Sequence, residues 1–321
     1  MPMPRSWTIL AALVALGHVA LGQVATDRMS SAASAASTSP AAPRMSVAPF
    51  AQKAVLVTGA TSGIGKMITE RLAANGFFVY AGARTDAEMK AMNAIPNVQA
   101  VRLDVTRPGD IASAVATVTS AGRGLWGVVN NAGVVIVAPL IEADEKDMNF
   151  IFNVNLYGPY RITKAFAPLL LESKGRVVNI SSLNGIVASP MIGAYSMSKH
   201  AIEAYGDGLA AELGRFGVRV SLIEPGNYGT EIGKSMLARM DTSVIAGSRF
   251  ERQMRSAVRS IGGFETNPPP DAVADAALDA LQNTNPRHRY LVVPDASQAA
   301  IPIRKLIDEV VELNDSQKFK Y

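Results

Sequence analysis

Cysteine is absent from all 321 residues of the chain. Disulfide bonds, thiolate nucleophiles and zinc–thiolate sites are therefore excluded. Charged residues make up only 18% of the chain, the formal net charge is +4, and no dense stripe of lysine and arginine occurs. Nucleic acid is consequently not an expected partner. Apolar residues account for 48%, which supports a substantial core and argues against a disordered chain.

The first 45 residues differ in composition from the rest. Arg5 precedes an apolar run from Trp7 to Leu21, which is short for a membrane span. Ala20-Leu21-Gly22 has the small residues that a signal-peptidase site requires. An Ala/Ser/Pro tract over residues 30–43 predicts a disordered linker. Residues 1–45 are therefore interpreted as a leader, and residues 46–321 as the folded domain.

Three interpretations of the leader stay open. If residues 1–22 act as a signal, the protein is exported or membrane-anchored, and this segment is then its only expected membrane contact. The near absence of acidic residues also fits an organelle-type leader. Alternatively, translation starts at Met45, just before the first predicted strand, and the protein is cytoplasmic.

From Lys53 onward, strand-like and helix-like segments alternate. The predicted strands are Ala54–Thr58, Phe77–Ala81, Val98–Leu103, Gly127–Asn130, Arg176–Ser181, Val218–Ile223 and Arg289–Val293. The predicted helices are Gly63–Ala74, Asp86–Ala94, Pro108–Ala121, Asp144–Glu172, Ala194–Arg215, Asp271–Gln282 and Ser297–Leu313. Short strands rich in Val, Ile and Leu are typical of strands buried on both faces. The pattern predicts an α/β fold with a single Rossmann-type, doubly wound parallel sheet flanked by helices.

Residues 227–265 interrupt this alternation after the sixth strand. Large apolar side chains occur there among polar residues, namely Met236, Met240, Ile245, Phe250 and Met254. An insertion of this length in a compact domain is often functional, and methionine suits an adaptable apolar wall. The segment predicts a helical lid over the substrate, a small helical pair that packs on the core, or both.

A glycine-rich turn follows the first predicted strand. Residues 58–65, which we call the glycine turn, read Thr-Gly-Ala-Thr-Ser-Gly-Ile-Gly and lead into a helical pattern. Glycines permit the tight turn and let backbone N–H groups approach a phosphate, and the helix N-terminus adds a partial positive charge. The segment therefore predicts a dinucleotide-binding loop.

Tyr195 and Lys199 lie one helical turn apart. Positions i and i+4 share a helix face, so both side chains are expected to reach the same space. A free tyrosine has a pKa of about 10, and a neighbouring ammonium lowers that pKa because it favours the phenolate. The pair would then serve as a general acid/base near neutral pH. The Tyr-x-x-x-Lys pattern alone is common on surface helices, so its meaning depends on the other motifs.

Those motifs resemble the classical branch of the short-chain dehydrogenase/reductase family. The matching segments are Thr58-Gly59-x-x-x-Gly63-x-Gly65, Asn130-Asn131-Ala132-Gly133, Asn155 within Asn153-Val154-Asn155, Ser182, Tyr195-x-x-x-Lys199 and Pro225-Gly226. They occur in the family's order, over about residues 53 to 315. The resemblance implies an oxidoreductase that transfers a hydride between a nicotinamide cofactor and a carbonyl or alcohol carbon.

The resemblance also implies a role for each of four residues. Tyr195 would act as the general acid/base, while Lys199 would lower the pKa of Tyr195 and hold the nicotinamide ribose. Ser182 would hydrogen-bond the substrate oxygen, with Ser181 as the alternative. Asn155 would position a water molecule in a proton relay to Lys199, or would only bond backbone groups in a bent helix.

The end of the second strand indicates the type of cofactor. An acid at this place binds the ribose 2′-OH of NAD, whereas an arginine accommodates the 2′-phosphate of NADP. Ala83 stands where NAD-preferring relatives carry the acid, and Arg84 follows it. This predicts NADP(H) rather than NAD(H), unless Arg84 is an ordinary surface residue. The predicted cofactor contacts are Thr58, Gly59, Thr61, Ser62, Gly63, Ile64, Gly65, Arg84, Asp104, Val105, Asn131, Ala132, Gly133, Tyr195, Lys199, Pro225, Gly226, Tyr228 and Thr230.

The run Glu224-Pro225-Gly226-Asn227-Tyr228-x-Thr230 is similar to that of the hydroxysteroid and retinol dehydrogenase subgroup. This resemblance implies a small hydrophobic alcohol or ketone as substrate, steroid-, retinoid- or ketone-like, and no metal. It also implies a homo-oligomer, a dimer or tetramer, paired through the two long helices. The alternative function is a catalytically silent NADP(H)-sensing protein on the same fold, which would typically lack the tyrosine or the lysine.

Overall fold

Seven short strands form one sheet in which every neighbouring pair is parallel. The computed structural model of the chain describes residues 52–240 and 242–314. The strands are β1 (Ala54–Val57), β2 (Phe78–Ala83), β3 (Val98–Arg102), β4 (Gly127–Asn130), β5 (Arg176–Ile180), β6 (Arg219–Pro225) and β7 (Arg289–Val292). Their order across the sheet is β3-β2-β1-β4-β5-β6-β7. The order reverses between β1 and β4, the point at which open parallel sheets bind their ligands.

Helices cover both faces of the sheet. They are α1 (Gly63–Ala74), α2 (Asp86–Asn93), α3 (Pro108–Ser120), α4 (Glu145–Asn155), α5 (Tyr157–Ser173), α6 (Gly193–Gly214), α7 (Ile232–Arg239), α8 (Glu251–Gly262), α9 (Asp271–Gln282) and α10 (Ala296–Asn314). One apolar core joins the sheet to α1 and α9, and the other joins it to α3, α4, α5 and α6. Strands buried on both faces explain their nearly continuous apolar sequences. The predicted doubly wound fold is confirmed.

The single helix predicted over Asp144–Glu172 is wrong, because the chain forms α4 and α5 with a break at Leu156. The backbone of Leu156 departs from helical geometry, with φ −116° and ψ −57°. Pro159, four residues after Asn155, has no N–H and cannot make the regular helical bond to the Asn155 carbonyl. The break therefore directly follows Asn155, the residue that the family resemblance singled out.

The segment after β6 contains two helices, α7 and α8, connected by a short 3₁₀ turn. Met236 and Ile261 from these helices are buried against Val135 and Val137, which follow β4. Met254 is also buried, at 2% exposure. The helical pair thus packs on the rim of the sheet at the same end as the glycine turn.

The predicted leader, residues 1–45, lies outside the described residues. Within residues 52–240 and 242–314, no helix combines the length and the apolar character needed to cross a bilayer.

Candidate active site

A cavity of about 490 Å³ opens where the loops after the first six strands, β1 to β6, meet. Every predicted cofactor contact except Thr58 lines it, and so does Ser182. Asn155 lies just outside the lining. The fold thus brings together segments spread over about 170 residues of sequence, from Gly59 to Thr230.

The three glycines of the glycine turn bring its backbone to one side of this cavity. Gly59 and Gly63 have φ of +60° and +51°, in the region that glycine adopts at little cost. A Cβ atom on Gly65 would stand 2.1 Å from the Gly59 carbonyl oxygen. The side chain of Ser62, at the N-cap of α1, makes no capping hydrogen bond, and no acidic residue occupies the first turn. The first N–H groups of α1 are therefore open to an anion.

Thr58 and Asn131 support the turn from beneath. Thr58 is buried, and its Oγ1 accepts the N–H groups of Asn131 at 3.0 Å and Ala132 at 3.1 Å. The Asn131 Nδ2 donates to the carbonyl oxygens of Thr58 and Gly59, both at 3.0 Å. Thr58 therefore braces the loops after β1 and β4, and it does not itself line the cavity.

Tyr195 and Lys199 both reach the cavity from the first turns of α6. The Lys199 ammonium lies 5.6 Å from the centroid of the Tyr195 ring and donates to the Ile180 carbonyl oxygen at 2.8 Å. Lys199 is only 5% exposed. Burial lowers the pKa of Lys199 to about 8, while the nearby Glu203 carboxylate raises it.

The predicted acidic tyrosine is wrong for the protein chain by itself. Burial raises the pKa of Tyr195 above its usual value, and hydrogen bonding to the Ser182 hydroxyl only partly opposes this. The sequence-based prediction took into account only the Lys199 ammonium, which lowers the pKa of Tyr195. In the structure the ammonium is directed to the Ile180 carbonyl, so desolvation of the phenol has the larger effect.

Two adjacent serines follow β5. Ser182 lines the cavity, interacts with the Tyr195 hydroxyl, and accepts the N–H of Asn184 at 3.1 Å. The Ser181 hydroxyl is buried without a hydrogen-bond partner among the described residues, near Gly185 and Glu203. Of the two hydroxyls, that of Ser182 is the one next to Tyr195.

Asn155 connects the helix break to the site. Its side chain exchanges two hydrogen bonds with the backbone of Val134, at 2.8 and 2.9 Å, and donates to Ser198 Oγ at 3.0 Å. The amide group is therefore occupied in joining α4 to α6 and to the loop after β4. Only the carbonyl oxygen of Asn155, which loses its helical donor because residue 159 is proline, stays available to a small polar molecule.

Positive charge gathers at the opposite end of the cavity, after β2. The exposed Arg84 lines this end, as does Arg239 at the end of α7. Burial and the nearby charge of Arg84 lower the pKa of Arg239. Burial raises the pKa of Asp104, but hydrogen bonds from Thr106 and the charges of Arg107 and Arg84 lower it overall. Sequence reasoning missed Arg239, because no local motif relates it to a residue 155 positions earlier.

The remaining wall is mainly apolar. Tyr228 is buried at 4% exposure, and the side chain of Thr230 would stand 3.2 Å from a Cβ on Gly63. The apolar side chains of this wall come from the loop after β4, from the segment before α6, from α7 and from the residues after α8. They include Val135, Ile192, Ile232, Met236 and Phe264. This composition suits an apolar substrate held by few polar contacts.

The family assignment follows from the sequence match. Residues 53–241 match the family described as short chain dehydrogenase. The chain belongs to the short-chain dehydrogenase family. This short-chain dehydrogenase is 34% identical over 279 residues to human 17-beta-hydroxysteroid dehydrogenase type 6, covering 82% of this chain and 87% of that one. It is 38% identical over 186 residues to mouse mitochondrial D-beta-hydroxybutyrate dehydrogenase, a match that spans 55% of this chain and only about half, 54%, of the mouse protein.

Solved structures share its fold. A short-chain dehydrogenase/reductase from Burkholderia phymatum in complex with NAD is 25% identical, with a TM-score of 0.68 over 83% of this chain and 96% of that one. A short-chain dehydrogenase from Burkholderia cenocepacia J2315 in complex with NADP is also 25% identical, with a TM-score of 0.62 over 84% of this chain and 98% of that one. Neighbours of the same fold thus hold either cofactor. Among the residues that the structure describes, no cluster of three or more His, Asp or Glu has metal-binding geometry.

Proposed function

We propose that the chain is an NADP(H)-dependent oxidoreductase that reduces the carbonyl group of a hydrophobic, steroid-, retinoid- or ketone-like substrate. The observation that carries the proposal is the convergence of Tyr195, Lys199 and Ser182 on one cavity whose other end is the glycine turn. The oxidoreductase class follows from the family, while the reaction direction and the cofactor type are the finer parts of the proposal.

The residues present fit a dinucleotide. The uncapped N-terminus of α1 suits a pyrophosphate. Gly65 lets α1 start directly against the Gly59 carbonyl oxygen and the Asn131 side chain, because a Cβ at residue 65 would clash with both. Arg84 and Arg239 would bind the 2′-phosphate of NADP. The carboxylate of Asp104, kept ionised by Thr106, would accept from the adenine amine. When bound, the cofactor supplies the hydride.

The protonation state of Tyr195 suits reduction. Its pKa lies above neutral pH, and burial raises it further, so the phenol carries a proton that it can donate to a carbonyl oxygen. Ser182, next to that hydroxyl, would hydrogen-bond the same oxygen as charge develops on it. The Lys199 ammonium, with a pKa of about 8, would stabilise the phenolate left behind, and the Asn155 carbonyl would hold a water that returns the proton.

The decisive experiment compares Tyr195→Phe with the parent enzyme. NADPH oxidation would be followed with a panel of steroids, retinoids and simple ketones, and with NADH as the control cofactor. We expect Tyr195→Phe to lose about 10²–10⁴-fold in kcat because the proton donor is gone, with NADPH still bound. Tyr205→Phe, which removes a phenol elsewhere on α6, is the matched control.

Equal rates in Tyr195→Phe and the parent would overturn the mechanism. An inactive parent that binds NADPH tightly, with no turnover on any panel member, would instead favour the silent sensing protein.

We also infer that the chain forms a homo-oligomer through α4, α5 and α6. These helices expose large apolar side chains, namely Phe150, Tyr157, Tyr160, Leu171 and Met197. Exposed apolar groups concentrated on adjacent helices favour a protein interface. Light scattering coupled to size-exclusion chromatography should give the mass of two or four chains.

A further inference from the structure

Two glutamates are buried next to each other behind Lys199. Glu203 lies on α6, one helical turn after Lys199, and Glu224 lies in β6. Their side chains are only 11% and 2% exposed, respectively. The Oε1 atom of each carboxyl group has no hydrogen-bond partner among the described residues. The two groups are nevertheless close enough to hydrogen-bond each other when one carries a proton. Buried carboxylates this close cannot both be ionised without strong repulsion.

The surrounding charges do not balance two anions. From β7, Arg289 Nε lies 3.2 Å from Glu203 Oε2 and 3.4 Å from Glu224 Oε1. The same guanidinium also binds Asp207 of α6 at 2.7 Å, and His288 contacts Asp207 at 2.8 Å. On the cavity side, Lys199 is the cation among the described residues that interacts electrostatically with Glu203. Arg289 is therefore divided among three carboxyl groups.

A single proton on one of the two carboxyl groups removes the excess negative charge. Burial and the neighbouring Glu203 raise the pKa of Glu224 to about 7, and Arg289 acts in the opposite direction. Glu224 thus holds the proton below about pH 7, next to the negative charge of Glu203. That charge raises the pKa of Lys199, which burial would otherwise lower further. Lys199 is kept as an ammonium from the side opposite the cavity.

Glu203 also contacts the turn that carries the catalytic serine. A Cβ atom on Gly185 would stand 3.0 Å from Glu203 Oε1 and 2.7 Å from Ser181 Oγ. Gly185 ends the short 3₁₀ turn that starts directly after Ser182. The absence of a side chain at residue 185 is therefore what lets Glu203 approach this turn. The carboxyl pair lies between the segment of Ser182 and the helix of Lys199.

We propose that Glu203 and Glu224 share one proton and act as positioning residues, with Glu203, held by protonated Glu224, keeping Lys199 in its ammonium form. The effect on Lys199 during catalysis rests on the proposed function. The shared proton does not rest on the proposed function, so either claim can fail without the other.

The shared proton is tested without substrate or cofactor. Infrared pH-difference spectra of the full chain should show the carbonyl stretch of a carboxylic acid that disappears as the pH rises through about 7. Glu224→Gln should abolish this band, and Glu203→Gln should move its loss to lower pH. A second readout is thermal unfolding. The folded chain keeps the proton that an unfolded glutamate releases at a pKa of about 4.5, so the contribution of Glu224 to stability falls from about pH 4.5 to pH 7. Glu224→Gln should remove that fall.

A band unchanged in Glu224→Gln, or no such band in the wild type, would overturn the shared proton. Glutamine replaces a neutral carboxyl group of nearly the same shape, so this variant is expected to fold. The infrared result therefore stands even if Glu203→Gln fails to fold.

The positioning role is tested by the pH profile of kcat for reduction. We expect Glu203→Gln to move the alkaline fall of kcat to lower pH by about one unit, because Lys199 loses a neighbouring anion. Glu224→Gln keeps that anion and should leave the fall in place. Asp207→Asn, which removes a more exposed partner of Arg289 one turn further along α6, is the control. A merely structural role would lower kcat at all pH values without moving the profile, and that result would overturn the positioning role. If even the wild type turned over nothing, the proposed function would fail while the infrared result still decided the shared proton.

Discussion

The two sides of the cavity are built differently. On the side of β1, the glycine turn is shaped by backbone geometry, and its positive φ angles, its missing Cβ atoms and the hydrogen bonds of Asn131 leave little freedom. On the side of β6, the wall is made of apolar side chains from α7 and the residues before α9, such as Met236 and Phe264. Many different side chains could form a similar wall, whereas few could replace Gly65. The cofactor site is therefore specified more narrowly than the substrate site.

This difference explains why the sequence indicates a dinucleotide and only a class of substrate. A phosphate is held mainly by backbone N–H groups, so a glycine pattern identifies its site. A hydrophobic substrate is held by shape, which depends on how distant side chains pack. Substitutions on both sides can test the comparison, and those on the cofactor side should have the larger effects.

The largest effect is expected for Gly65→Ala. The new Cβ would lie 2.1 Å from the Gly59 carbonyl oxygen and 2.3 Å from Asn131 Nδ2, so the glycine turn must shift. The shifted turn no longer presents its N–H groups correctly, and restoring the present geometry on binding costs about 1–3 kcal/mol. NADPH affinity should therefore fall by up to about a hundredfold. Fluorescence titration with NADPH measures this loss.

Gly109→Ala on α3 is the matched control, because a Cβ there meets nothing within 4 Å. If Gly65→Ala bound NADPH as tightly as this control, the cofactor side would be as tolerant as the substrate side, and the contrast between the two sides would be lost.

A smaller effect is expected at the arginine pair. Replacing Arg84 or Arg239 by alanine would remove one charge-assisted contact to the proposed 2′-phosphate. Both side chains are exposed, so solvent screening limits this contact to about 1.5 kcal/mol. The preference for NADPH over NADH should then fall by about tenfold in each variant. The ratio of kcat/KM for the two cofactors is the measurement. Arg123→Ala, which changes an arginine that packs on Phe78 outside the cavity lining, should keep the preference. An unchanged ratio in Arg84→Ala would remove the argument for NADP(H).

Predictions from sequence succeed where a feature depends on nearby residues and fail where it depends on packing between distant ones. The sheet and the helix of Tyr195 are fixed by local periodicity, and the structure contains them nearly as predicted. The break at Leu156 was missed although Pro159 is a local signal, because its effect appears one turn earlier, at Asn155. The pKa of Tyr195 could not be predicted in direction, since desolvation depends on side chains from several elements. The position of Arg239 near Arg84 and the pairing of Glu203 with Glu224 also depend on tertiary structure, so no local sequence pattern predicts them.

The smallest effect is expected on the apolar side, where Met236→Ala tests whether α7 contacts the substrate. Met236 is 6% exposed, lines the cavity and packs near Val135 and Tyr195. If residues 227–265 act as a lid, truncating Met236 should raise KM for the largest ketones several-fold. The KM for a small ketone should change little, because a small ketone does not reach this wall. Met254→Ala is the matched control, since Met254 is similarly buried but outside the cavity lining. Equal changes in KM for large and small substrates, or the same change in Met254→Ala, would mean that the helical pair only supports the fold. The loop after β4 would then have to form the substrate wall.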